Sequence, residues 1–136
     1  MNRTYQSRPT HILVASIIAV GFGALTVFSG GSVIFFTEPA RAAGNIVPFV
    51  VWFNFLAGFA YVIAGTGLFK WQRWGINLSI AIAALTLLVF AALGFHILKD
   101  GAFEMRTVIA MAFRFFLWAC IALLANIAWK KIDRIT

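Results

Sequence analysis

The sequence has few of the residues that keep a protein soluble in water. Of its 136 residues only 11 are Lys or Arg and four are Asp or Glu, so 11% are charged, against about 25% in soluble domains. Hydrophobic residues make up 62% of the chain, and its mean hydropathy is +0.95. Because so little polar side chain cannot coat a soluble globule, the composition excludes a water-soluble domain.

Sites for covalent or cofactor chemistry are also scarce. The single cysteine, Cys120, excludes an intramolecular disulfide and a CxxC redox pair, and its apolar surroundings favour a packing role. The sequence lacks a nucleophile-plus-base motif, a P-loop and a Gly-rich dinucleotide motif. His11 and His96 fall at opposite ends of the predicted bundle, which excludes a single bis-His haem. We therefore expect no catalytic residues and no cofactor.

The chain does contain four long apolar runs. They cover residues 12–36, 47–69, 76–98 and 107–129. Each has at least 23 residues, whereas a hydrocarbon core of about 30 Å needs roughly 20 helical residues. Inside lipid every backbone amide must be paired within its own segment, which selects helix. The sequence therefore predicts one all-α domain, an integral membrane four-helix bundle over residues 1–136.

The first run has the flanks of a signal peptide. Arg3 and Arg8 precede it, and Ala40-Arg41-Ala42 resembles a cleavage site. A signal-peptide core has about 7–15 apolar residues, whereas this run has 25. We therefore favour a first helix that is not cleaved.

The basic residues are unevenly distributed between the two sides of the bundle. Three lie in the loops after the first and third runs: Arg41, Lys99 and Arg106. Seven lie at the termini and in the loop between the second and third runs: Arg3, Arg8, Lys70, Arg73, Lys130, Lys131 and Arg134. The positive-inside rule then predicts both termini in the cytoplasm. Topology and contact with anionic lipids explain the net charge of +7, and no motif for nucleic acid accompanies it.

Small residues recur at helical spacing in three of the runs. Such residues let helices approach closely in lipid, so they predict packing seams of the bundle or of a homo-oligomer. They are Gly23, Thr26 and Gly30 in the first run, Gly58 and Gly65 in the second, and Ala84 and Ala91 in the third.

Arg114 is the residue most out of place, since it lies seven positions inside the fourth run. An Arg near the middle of a span costs about 2.5–3.5 kcal/mol, so we expect it to face the bundle interior. Asn54 lies at a similar depth in the second run. If the fourth helix begins near Phe103, then Glu104, Thr107, Met111 and Arg114 share one face.

These positions predict an outward-opening polar pocket for an anionic group such as a carboxylate or phosphate. Its predicted lining is Asn54, Glu104, Thr107 and Arg114, with Glu38 and His96 at the rim. Two other interpretations stay open. Arg114 could instead fix helix packing, and His96, Asp100, Glu104 and Glu38 could ligate a divalent metal, although Asp100-Gly101 is also an ordinary turn signal.

Two segments of the sequence resemble a group of small, uncharacterised four-helix membrane proteins of bacteria. The segments are residues 49–61 and 101–114, which carry Trp52, Asn54, Tyr61, Glu104, Arg106, Thr107 and Arg114. The resemblance implies a four-helix architecture and a bacterial inner membrane. It implies no reaction.

Three classes of function are compatible with these observations. The first is a non-enzymatic protein that binds a small ligand or a partner membrane protein through the outer pocket. The second is a small transporter or oligomeric channel, because four spans are few for a monomeric carrier but sufficient for a dimer. The third is a membrane enzyme or a subunit of a redox complex, for which the sequence offers no catalytic set.

Overall fold

The computed structural model describes residues 8–135, and this part of the chain forms five helices and no strands. The helices are α1 (Thr10–Phe35), α2 (Thr37–Ala43), α3 (Pro48–Phe69), α4 (Arg73–Leu98) and α5 (Met105–Ile135). All except α2 are long and apolar enough to cross a membrane. The predicted all-α, four-helix membrane bundle is confirmed. Arg3, which entered the charge count, lies outside the described residues.

The helices extend beyond the apolar runs, most of all in α5. This helix continues from the predicted end at residue 129 through Lys130 and Lys131 to Ile135. Lys and Arg are good helix formers, so the helix does not end where hydropathy falls. Pro48 is the first residue of α3, where its missing N–H removes no helical hydrogen bond.

The segment predicted as an outer loop contains the short helix α2. Phe36 separates it from α1 with an extended backbone (φ −123°, ψ 135°). Pro39 lies in the first turn of α2, where its missing N–H removes no helical hydrogen bond. Hydropathy does not detect so short and polar a helix.

The four long helices alternate in direction and so give the bundle two distinct ends. The Arg8 guanidinium donates a hydrogen bond to the carbonyl of Phe69, which joins the start of α1 to the end of α3. The Trp71 and Trp129 rings pack with centroids 5.4 Å apart at the same end. We call this end, which carries the start of α1 and the end of α5, the terminal end. The opposite end, formed by residues 36–47 and 98–105, is the loop end.

Glycines bring the backbones of α1 and α3 into contact. A Cβ atom at Gly58 would lie 2.9 Å from the backbone nitrogen of Val27 and 3.0 Å from the carbonyl oxygen of Gly23. At Gly65 it would lie 3.1 Å from the carbonyl oxygen of Ser16. These contacts confirm the seam predicted for the first two spans. Ala84 and Ala91 are exposed on α4 and take no part in it.

Two hydrophobic clusters fill the bundle. The larger covers the terminal end and the middle, where Tyr61 and Trp118 are fully buried with ring centroids 4.9 Å apart. The smaller, near the loop end, consists of Val47, Val50, Leu93 and Met111. Large side chains therefore occupy the space between α3 and α5.

We predict that Gly58→Ala destabilises the protein by about 1–3 kcal/mol, because the added methyl group overpacks the seam. Gly94→Ala is the matched control, since a Cβ atom at Gly94 has no neighbour within 4 Å. It should be neutral or slightly stabilising, because Ala is the better helix former. Unfolding in detergent by titration with SDS measures both. Equal stability of the two variants would contradict the described seam.

Candidate ligand-binding site

A cavity of about 250 Å³ opens at the loop end between α1, α3 and α5. It exists because α5 packs chiefly against α4 and approaches α1 only sparsely. We call it the loop-end pocket. Its lining residues are Thr26, Ser29, Gly30 and Val33 from α1, Ala43 at the end of α2, Ile46 after it, Val50, Val51 and Asn54 from α3, and Glu104, Arg106, Thr107, Ala110 and Arg114 at and within α5.

Arg114 lies at the deep end of the loop-end pocket. The structure describes no carboxylate within salt-bridge distance of its guanidinium. Its carbon Cζ lies 5.4 Å from the centroid of the Phe22 ring, a cation–π contact that offsets part of the cost of burial. Its Nε is buried and has no hydrogen-bond partner among residues 8–135. A half-buried cation with an unused donor is suited to binding an anion.

Other polar atoms around Arg114 are also unpaired. Thr26 Oγ1 and Asn54 Oδ1 are buried and lack a hydrogen-bond partner within the described chain. Farther from the mouth, the Tyr61 hydroxyl lies close to the side chains of Arg114 and Thr86. Buried polar groups are normally hydrogen-bonded, so a cluster of unpaired ones indicates a place for water or a polar ligand.

Two charged residues at the start of α5 hold the mouth of the loop-end pocket. Glu104 Oε1 accepts a hydrogen bond of 3.0 Å from the backbone N–H of Asn45. Arg106 Nη2 lies 3.4 Å from the carbonyl oxygen of Ala42, at the limit for a hydrogen bond. Between them Gly44 adopts φ 76°, and a Cβ atom there would collide with Glu104. The segment that joins α2 to α3 is thus fixed against α5.

Four of the six predicted site residues come together in the loop-end pocket: Asn54, Glu104, Thr107 and Arg114. The two predicted rim residues are elsewhere. Nε2 of His96 lies 3.0 Å from the carbonyl oxygen of Ala102, in the turn that follows α4. Glu38 is 85% exposed and lies 3.7 Å from Arg41. Neither lines the pocket.

The alternative of a metal site gains no geometric support. Among residues 8–135, no three His, Cys, Asp or Glu side chains lie close enough together to hold a metal ion. Glu38 and Glu104 have the separate contacts described above, with Arg41 and with the backbone of Asn45.

The predicted polar face of the last helix is rotated in the structure. Ala110, and not Met111, joins Thr107 and Arg114 in lining the pocket, while Met111 is fully buried in the smaller hydrophobic cluster. The prediction assumed a helix from Phe103, whereas α5 begins at Met105. The sequence predicts Arg106 in a loop and Thr26 in a packing seam, whereas both line the pocket. For Arg106 the available signal was its place next to Thr107 in the sequence, and for Thr26 it was a polar side chain within an apolar run.

Comparison of the chain with protein-family models, with curated proteins and with solved structures finds no match. The resemblance to small four-helix bacterial membrane proteins stays a prediction.

We predict that Glu104→Ala frees the segment between α2 and α3. Loss of a hydrogen bond to a charged acceptor, about 1.5–3 kcal/mol, should make the Asn45 amide exchange hydrogen for deuterium at least tenfold faster. Glu104→Gln keeps an oxygen acceptor and should stay close to the parent protein. Hydrogen exchange followed by mass spectrometry of residues 42–47 measures the effect. Unchanged exchange in the Ala variant would show that Glu104 does not fix this segment.

Proposed function

We propose that this integral membrane four-helix protein is a non-enzymatic binding protein for a small anionic ligand, which it takes up in the loop-end pocket. The observation that carries the proposal is Arg114, a cation among apolar helices with no described counter-ion and an unpaired Nε. A carboxylate or phosphate group supplies the negative charge that the guanidinium lacks and an acceptor for its Nε.

The charges around the loop-end pocket favour an anion. The lining contains two cations, Arg106 and Arg114, and one carboxylate, Glu104. One oxygen of that carboxylate is already bonded to the backbone of Asn45. The polar atoms of Thr26 and Asn54 add hydrogen-bonding capacity near Arg114. An anion in the pocket therefore meets a net positive charge.

The size of the pocket limits the ligand. A volume of about 250 Å³ lies below the range of roughly 300–1,000 Å³ that holds drug-sized molecules. Four of the lining residues, Val33, Ile46, Val50 and Val51, have larger aliphatic side chains. A small organic acid or phosphate ester, with a few carbons beside its anionic group, fits this combination.

The core beneath the pocket favours a binder over a pore through a single chain. Tyr61 and Trp118 are both 0% exposed and pack against each other, with tilted rings, in the larger hydrophobic cluster. Together with their neighbours they close the bundle between the loop-end pocket and the terminal end. Transport through one chain would require this aromatic pair to separate.

We further propose that the loop end faces away from the cytoplasm, across a bacterial inner membrane. The support is the excess of Lys and Arg at the terminal end. Partner proteins or a second copy of the chain are then free to approach the same outer side.

Ligand binding is tested on the protein purified in detergent, with inorganic phosphate and acetate as separate probes in isothermal titration calorimetry. We predict saturable binding of at least one anion and a loss of about ten- to a hundredfold in Arg114→Gln, as expected for one charge-assisted contact. Arg41→Gln removes an exposed charge at the same end, outside the pocket. It should bind like the parent protein. Equal binding by both variants, or no binding of either anion by the parent, would overturn the proposal.

We predict that Arg114→Leu makes the ligand-free protein more stable, by about 1–3 kcal/mol, because it removes an unpaired charge from the membrane interior. Unfolding in detergent, monitored by circular dichroism, measures the change. Arg114→Lys keeps the charge and should give no such gain. A destabilised Leu variant would instead assign Arg114 to helix packing, the alternative interpretation of this residue.

A further inference from the structure

A second cavity lies at the terminal end, on the outer surface of the bundle beside the seam between α1 and α3. Its volume is about 270 Å³, and we call it the terminal-end groove; its lining residues are Ser16, Ile17, Val20, Thr66 and Phe69. Ser16 and Thr66 donate their hydroxyl hydrogens to carbonyls of their own helices, those of Leu13 and Val62. Because its hydroxyls are already bonded, the groove presents an almost wholly apolar surface.

The depth of the terminal-end groove matches one leaflet of a bilayer. Ser16 and Val20 lie six and ten residues after the first residue of α1, which is about 9–15 Å along the helix axis. Half of a hydrocarbon core of about 30 Å is about 15 Å. Ile17 and Phe69 are well exposed on the outside of the bundle. In a membrane the groove therefore lies among the acyl chains of the leaflet at the terminal end.

Two basic residues, Arg8 and Lys70, lie at the mouth of the terminal-end groove. The guanidinium of Arg8 bonds to the Phe69 carbonyl, and its Cζ lies 4.4 Å from the centroid of the Phe69 ring. Lys70 follows directly and is exposed. No salt bridge to either residue occurs within the described chain. The Arg8 guanidinium therefore lies over the ring that lines the groove, and Lys70 is the next residue of the chain, where the apolar span ends.

The wider terminal end is basic as well. Besides Arg8 and Lys70 it carries Arg73, Lys130, Lys131 and Arg134, with Asp133 as the one acidic residue of its described part. General attraction to anionic lipid explains such a ring. What it does not explain is an apolar groove that begins beside two of these cations and runs toward the middle of the membrane.

We propose that the terminal-end groove is a binding site for an anionic phospholipid. One acyl chain lies between α1 and α3 against Ile17, Val20 and Phe69. The phosphate of the same lipid is held by Arg8 and Lys70. Charge complementarity at the mouth selects the anionic headgroup, and the apolar lining accepts the chain. This site is separate from the loop-end pocket and does not depend on the proposed function.

Native mass spectrometry of the purified protein, titrated with phosphatidylglycerol or with phosphatidylcholine of the same acyl chains, tests the proposal. The parent protein should bind a single molecule of phosphatidylglycerol, with a higher affinity than it has for phosphatidylcholine. Arg8→Gln should weaken phosphatidylglycerol binding about fivefold, the effect of one surface cation, and remove most of the preference. Lys131→Gln removes an equal charge from α5, outside the groove, and should keep it.

A second pair of variants tests the groove itself. Val20→Phe fills it and should weaken binding of both lipids, whereas Val14→Phe makes the same change at an exposed position of α1 outside the groove. If Arg8→Gln and Lys131→Gln reduce the preference for phosphatidylglycerol equally, the preference comes from the overall charge of the terminal end, and the proposed site is refuted. Wild-type affinity in a folded Val20→Phe variant would also refute it. If circular dichroism shows that Val20→Phe does not fold, the two charge variants decide. Arg114→Gln should leave lipid binding unchanged.

Discussion

The rest of the bundle depends on how closely α1 approaches α3. Glycine at position 58 lets the two backbones touch, and the carbonyl of Gly23 occupies the space that a side chain would need. In lipid, where tails are as apolar as the helices, such close contact is a main source of attraction between helices. α5 contains no glycine that would allow such a backbone contact. It meets α3 through large side chains, with Trp118 against Tyr61, and so it lies farther away.

This unequal spacing is the physical origin of the loop-end pocket. Aromatic side chains fill the wider gap in the middle of the bundle, but near the loop end α5 turns Thr107 and Ala110 toward α1 and α3. These side chains are too short to close the gap. Arg114 lies where the filled and unfilled parts meet, in cation–π contact on one side with Phe22. The same geometry that leaves room for a ligand therefore keeps the guanidinium away from lipid.

Much of this fold follows from the sequence, because apolar runs long enough to cross a membrane must be helical there. Pro48 marks the start of a helix, and Gly58 and Gly65 mark a close contact between helices. The rotation of the helices does not follow. Helices that are apolar on every side show little periodicity in their sequence, so the sequence does not indicate which face points inward. Counting from Glu104 predicts Met111 on the pocket face, whereas in the structure Ala110 lines the pocket and Met111 is in the core. The two residues predicted for the rim, His96 and Glu38, lie outside the pocket lining for a related reason. His96 belongs to a turn whose hydrogen bonds are local, and no sequence spacing reports how such a turn is oriented.

The two ends of the bundle differ in how their charges are compensated. At the mouth of the loop-end pocket Glu104 and Arg106 carry opposite charges, and both contact the backbone of the segment before α3. Their charges largely cancel, so Arg114 supplies the net charge felt inside the pocket, and a single anionic group is enough to neutralise it. At the terminal end basic residues outnumber the one acidic residue. That excess can be neutralised only from outside the chain, and anionic lipid headgroups are the partner we propose for it. The soluble anion we propose for the loop-end pocket compensates the single charge of Arg114 inside the bundle.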